Sequence, residues 1–163
     1  MEGASKTMAR RDEDEAERLD RELLELLNEL RVVMPGVQVL FGFLLTVPFQ
    51  QGFQRIDDFQ RMVYFVTLLL AAAAAAFLMA PSAFHRLTFR HGQKPYLVQL
   101  GTRQTIVGMA LLALAMNGAL LLLSDILFHA TTVVIVVAAM GALFVWLWFG
   151  LAWTRLAAGK REW

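Results

Sequence analysis

Residues 22–49 read ELLELLNELRVVMPGVQVLFGFLLTVPF, and within them the chain changes solvent. Up to Arg31 the stretch is a charged helix with a leucine seam. From Val32 to Phe49 it carries no charge and is apolar enough to enter a bilayer, interrupted only by Pro35, Gly36, Gln38 and Pro48. Three more runs repeat that pattern, at 62–80, 106–123 and 133–153. Each falls in the range of about 17–25 apolar residues that crosses hydrocarbon. A helix buried in a soluble core would keep a polar face, and these show almost none. The expected fold is all-α: an integral membrane four-helix bundle with an N-terminal cytoplasmic amphipathic or heptad helix.

Composition points the same way. Of 163 residues, 58% are hydrophobic, against roughly 45–50% in a soluble domain. Net charge is +1, which offers no polyelectrolyte argument for nucleic acid. Cysteine is absent, so disulfides, thiolate metal sites and cysteine nucleophiles are absent with it. The first 31 residues are highly charged and lack the apolar core of a secretory leader, so the first span is expected to be an uncleaved anchor.

Topology follows from the basic residues. Lys6, Arg10, Arg11, Arg18, Arg21 and Arg31 precede the first span. Arg86, Arg90, Lys94 and Arg103 lie between the second and third, and Arg155, Lys160 and Arg161 follow the fourth. Only Arg55 and Arg61, of fifteen in all, fall on the other side. That bias predicts a multi-pass protein of the bacterial cytoplasmic membrane with both termini inside. The chain then divides into an unstructured 1–11, a cytoplasmic helix 12–31, a membrane domain 32–153 and a tail 154–163.

Leu19, Leu23, Leu26, Leu30 and Val33 recur at heptad spacing. Glu17 and Arg21 stand four apart on the flank, and Asp12, Glu13, Asp14 and Glu15 crowd the first turns, where the helix dipole favours them. A helix lying on anionic lipid would be basic rather than acidic. The seam is therefore expected to join copies into a homo-oligomer, with folding over the membrane domain or its surface as the alternative.

Pro35-Gly36 is expected to kink the chain at the membrane entry. Inside the spans, Gln38 and Asn117 are the main polar residues, each either an interhelical hydrogen-bonding group or part of a pathway. The connection 48–60 mixes phenylalanines with glutamines, a composition suited to headgroups. Asp57, Asp58, Asp125 and His129 gather at the outer edge, as solvated loop charges or a cation-attracting vestibule. Ala71–Ala76, Gly108, Ala115, Gly118, Ala138 and Ala142 are small residues at which helices can approach closely. The connection 81–104 presents His85, Arg86, Arg90, His91 and Lys94, a basic loop facing anionic headgroups. Phe144, Trp146, Trp148, Phe149 and Trp153 with Arg155 read as an aromatic belt and basic anchor.

No phosphate-binding glycine loop, serine–histidine–acid set or zinc-spaced histidine pair occurs. The expected threading puts His85 and His91 on one side and His129 on the other, which precludes a shared metal site. No enzyme activity, metal or cofactor is expected. Ion coupling usually requires a carboxylate within a span, and none of the four interiors holds one. A pore lined by amides and threonines would need several copies around an axis.

The runs ELLNELRVVMPGVQVLFGFLLTVPFQ, QRMVYF and APSAFHRLTFR resemble a family of small four-span bacterial membrane proteins with no assigned activity, over most of residues 22–125. The resemblance implies the fold and carries over no catalytic residue. Some members bear the label sodium–proton antiporter, which the absent intramembrane carboxylate does not favour. The functional expectation is a homo-oligomeric membrane protein in ion permeation or transport, with a non-catalytic accessory or scaffold subunit as the alternative.

Overall fold

The structure is a computed structural model that describes residues 2–88 and 94–150. Among these, all regular structure is helical: α1 (Glu2–Thr46), α2 (Asp58–Thr88), α3 (Lys94–Leu127) and α4 (Ala130–Val145). Two 3₁₀ turns, Val47–Phe49 and Gln51–Arg55, join α1 to α2, and a π-helical turn, Trp146–Gly150, follows α4. Four helices are long and apolar enough to cross a membrane: Glu17–Phe49, Asp58–Phe84, Val98–Leu127 and Ala130–Trp148. They form a helical membrane bundle.

Two expectations are corrected and one is placed. Residues 2–11 are helical rather than unstructured. Ala4, Lys6, Met8, Ala9, Arg10 and Arg11 are good helix formers, and a helix already nucleated downstream extends through them at little cost. Secondly, the kink expected at Pro35-Gly36 falls inside α1, which is helical on both sides of it. Proline lacks the N–H that would bond the Arg31 carbonyl, but one missing bond does not end a helix of 45 residues held by packing on both sides. Thirdly, most of the connection 81–104 is helix, because α2 runs to Thr88 and α3 starts at Lys94. Pro81 is accommodated inside α2, and Pro95 falls in the first turn of α3, where its missing N–H has no helical acceptor to lose. Arg90, His91 and residues 151–163, including Trp153, Arg155, Lys160 and Arg161, lie outside the described residues.

The chain divides into two compact units, each drawn from several helices. In the first, which runs to Val39 and from Ala72 to Ala110, α1 buries Leu23, Leu26, Leu30 and Val37. Leu30 is 2% exposed and Val37 is fully buried. A Cβ on Gly101 of α3 would lie 3.5 Å from Pro81 of α2 and 3.7 Å from both methyls of Leu26. The leucine seam therefore packs on helices of its own chain. Gly108 lies closer still. A Cβ there would be 2.7 Å from Leu78 Cγ and 3.3 Å from the Leu78 amide nitrogen.

In the second unit, from Leu40 to Ala71 and from Leu111 onward, Leu44, Tyr64, Ala71, Ala115 and Leu122 form the buried cluster. Thr67 is buried against Gly118, whose added Cβ would fall on the threonine hydroxyl. The buried positions of α2 are Tyr64, Thr67, Ala71, Ala74, Leu78 and Pro81, alternately three and four residues apart. Leu23, Leu26, Leu30, Val37 and Leu44 of α1 obey the same repeat. A period of 3.5 keeps one stripe of each helix facing its neighbours. Outside those stripes large apolar side chains stand free, among them Val32 at 79% and Phe43 at 70% exposure, and α4 buries only Val133. A water-soluble chain rarely leaves so much contiguous apolar surface, whereas hydrocarbon solvates it.

The Gly108 approach is testable. Gly108→Ala is expected to destabilise by about 1–3 kcal/mol, because overpacking at Leu78 outweighs the helix propensity gained. Gly36→Ala, with nothing within 4 Å of the new Cβ, should stabilise by up to about 1 kcal/mol. Thermal unfolding in detergent measures both; equal shifts would contradict the close contact.

Candidate functional site

Polar side chains inside an apolar bundle must find partners or leave hydrogen bonds unmade, so the site is built from where each one goes. Three threonines are settled locally. Thr102 and Thr105 donate to the Val98 and Gly101 carbonyls at 2.8 and 2.9 Å, and Thr46 donates to Phe43 at 2.7 Å. These are back-bonds along the same helix, which cost no partner elsewhere.

The most connected polar cluster lies at the 47–60 end of the second unit. Asp57 caps α2 and Gln60 answers it: the Gln60 amide donates to Asp57 Oδ1 at 2.8 Å, and the Asp57 amide donates to Gln60 Oε1 at 3.3 Å. This is a capping box, with aspartate and glutamine three apart. The remaining end of the Gln60 amide reaches α3, where Nε2 donates to Asp125 Oδ2 at 2.9 Å. Asp57 and Asp125 are thus chained through one glutamine. Asp58 instead pairs with Arg61 at 3.0 Å and is fully exposed, so it contributes little. His129 ends the loop before α4 with an exposed side chain that makes no capping bond, while its carbonyl accepts from the Thr132 and Val133 amides. Of the four expected edge residues, two are joined and two face outward.

Beside this cluster the 3₁₀ turns leave an open cleft of about 520 Å³. Val47, Phe53, Ile56 and Leu122 form its apolar lining, and Gln50, Arg55, Gln60 and Asp125 its polar rim. Phe53 meets Tyr64 edge-on, with centroids 5.0 Å apart, and the Tyr64 hydroxyl donates to the Leu44 carbonyl at 2.9 Å. That bond ties α2 to the last turns of α1 and fixes the wall of the cleft.

Among the described residues, two buried side-chain acceptors have no partner: Asn117 Oδ1 and Gln104 Oε1. The Asn117 amide nitrogen sits 3.1 Å from the position of a Cβ on Gly141, so the residue is wedged against α4. Gln38 is placed differently. It is exposed on α1, as are Gly36 and Gly42, neither of which has anything within 4 Å of an added Cβ. Of the expected seam, Leu23, Leu26 and Leu30 are buried by their own chain, and Leu19 and Val33 are half-buried. In the basic segment Arg86 is exposed, while the side chains of His85 and Lys94 lie outside the described residues. Phe144 and Trp148 pack at 5.3 Å, so part of the expected aromatic belt is paired with itself.

Sequence reasoning missed Gln60 and Gln104. The D-x-x-Q spacing directly before the apolar run at 62 is the signal for Gln60; Gln104 stands at a helix position that the loop assignment concealed.

Gln60→Leu keeps the Asp57 cap, which uses the residue-60 backbone amide, but leaves the Asp57 amide without its acceptor and Asp125 without its donor, so a loss of about 1–3 kcal/mol is expected in thermal unfolding. Gln60→Glu keeps a capping acceptor but sets a second carboxylate beside Asp125. Repulsion raises the carboxyl pKa in the folded state, so this variant's deficit should shrink as pH falls through the carboxylate range. A pH-independent deficit would contradict the Gln60–Asp125 contact.

No curated protein and no solved structure matches the chain. The match that does exist is at the level of family: residues 12–152 align with a family of unknown function (DUF6328), and the chain belongs to it.

Proposed function

We propose that this is a non-catalytic, self-associating membrane subunit whose copies meet on the face of α1 that carries Gln38. The exposure of Gln38 carries the reading. A glutamine in an apolar span that faces away from its own bundle has neither water nor a protein partner. A second copy supplies both a donor and an acceptor, because an amide is self-complementary. Such a bond contributes roughly 0.6–2 kcal/mol in a membrane. Gly42 follows one turn later with open space around it, so two backbones can approach there.

This reading moves self-association away from the Leu19–Val33 seam, because Leu23, Leu26 and Leu30 are buried within the chain and Leu19 and Val33 are half-buried. The positive-inside bias supports the bacterial cytoplasmic membrane as its location, with both ends in the cytoplasm. The closeness of Gly108 to Leu78, and of Gly118 to Thr67, argues against a wet path between α2 and α3 of a single copy. A second reading keeps the same assembly and assigns it ion permeation. It is favoured by Gln38 itself, which would line an axis if several α1 helices surrounded one.

Mass measurement in mild detergent together with ion flux in proteoliposomes separates the two. The scaffold reading predicts an oligomer that Gln38→Leu shifts to lower mass, with no sodium, potassium or proton flux above empty vesicles in the parent. Flux in the parent that Gln38→Leu abolishes would transfer the assignment to permeation. An unchanged mass for Gln38→Leu would refute association on this face.

A further inference from the structure

We infer that the first unit carries a binding site for an anionic phospholipid, with the lipid phosphate held between Arg31 and Arg86. The two arginines come from different helices and line one cleft of about 290 Å³ with Ser82, Leu27, Leu30 and Met34. Leu27, Leu30, Arg31 and Met34 share a face of α1 at helical spacing, and Ser82 and Arg86 stand four apart on α2. No carboxylate lines the cleft, and neither arginine has an ion-pair partner among the described residues. Two guanidiniums left facing one space repel each other unless an anion lies between them. Phosphate suits the planar fork of arginine, which donates two parallel hydrogen bonds, and the Ser82 hydroxyl can donate a further one.

Position along the chain selects a lipid rather than a soluble phosphate. Arg31 is the last charged residue before the apolar run 32–49, and Ser82 and Arg86 follow the run 62–80. Both helices therefore pass from apolar to polar sequence at this cleft, where a bilayer places its headgroups. Met34 continues the lining on the apolar side of Arg31, where an acyl chain can lie. Basic pockets between spans are a recognised form of headgroup site. The inference does not depend on self-association, since every lining residue belongs to one chain.

The full chain, purified in mild detergent and offered equal amounts of phosphatidylglycerol and phosphatidylcholine, tests it by native mass spectrometry. Retention of phosphatidylglycerol is expected, and Arg31→Gln with Arg86→Gln should reduce it by about tenfold. The equally charged control Arg21→Gln with Arg103→Gln, at exposed positions outside the cleft, should reduce it less than about twofold. Equal loss in the control, or equal retention of phosphatidylcholine, would overturn the site. Displacement of the lipid by millimolar glycerol phosphate would reassign it to a soluble phosphate and so overturn the lipid assignment. If the double variant loses its helical circular dichroism, Arg86→Lys decides. It keeps the charge but not the fork, so about a threefold loss is expected, and unchanged retention would count against the geometry.

Discussion

A hydrogen-bonding group inside hydrocarbon has no water to fall back on, and the arrangement of this bundle follows from that constraint. Backbone groups are satisfied within helices. The Thr102 and Thr105 hydroxyls close on their own helix, the Tyr64 hydroxyl ties α2 to the Leu44 carbonyl, and Gln60 links two aspartates at the edge. Among the described residues, Gln38 facing outward and the buried carbonyl oxygens of Asn117 and Gln104 are left without a partner. In a soluble protein an exposed glutamine would carry no information. Within an apolar span it defines a direction.

Helix contacts are set by residues without bulk. Because lipid is as apolar as leucine, burial in a bilayer gives little net drive, and close van der Waals approach must hold helices together. Gly108 under Leu78, Gly118 under Thr67 and Gly101 beside Pro81 and Leu26 supply that approach within the two units. The same packing uses up the leucine stripe of α1. That helix is thus two-sided, with a buried leucine face and an open face bearing Gln38 and Gly42.

Much of this was legible in the sequence, for identifiable reasons. Apolar runs of span length announce themselves, so the four crossings and the all-helical class follow from composition alone. The 3.5-residue repeat at Leu19–Val33 was also plain, but periodicity says that something covers a stripe and not what. Leu26 of that stripe packs beside Gly101, a residue in what reads as a loop. Proline, glycine and charge made 81–104 look irregular, whereas Pro81 is absorbed in mid-helix and Pro95 suits a first turn. Asp57 and Asp125 were expected near one another as bare charges. The Gln60 bridge between them depends on side-chain geometry across 65 positions, which no local pattern encodes. The pairing of Arg31 with Arg86 across one cleft was hidden for the same reason.

The two-sidedness of α1 is the claim on which the functional account turns, and the absence of native cysteine makes it directly measurable. Single cysteines placed in turn along residues 23–46 can be oxidised in native membranes and the cross-linked dimers counted. The account predicts efficient cross-linking at Gln38 and Gly42 and little at Leu26, Leu30, Val37 and Leu44. The reverse pattern, with dimers forming through the leucine stripe, would contradict it.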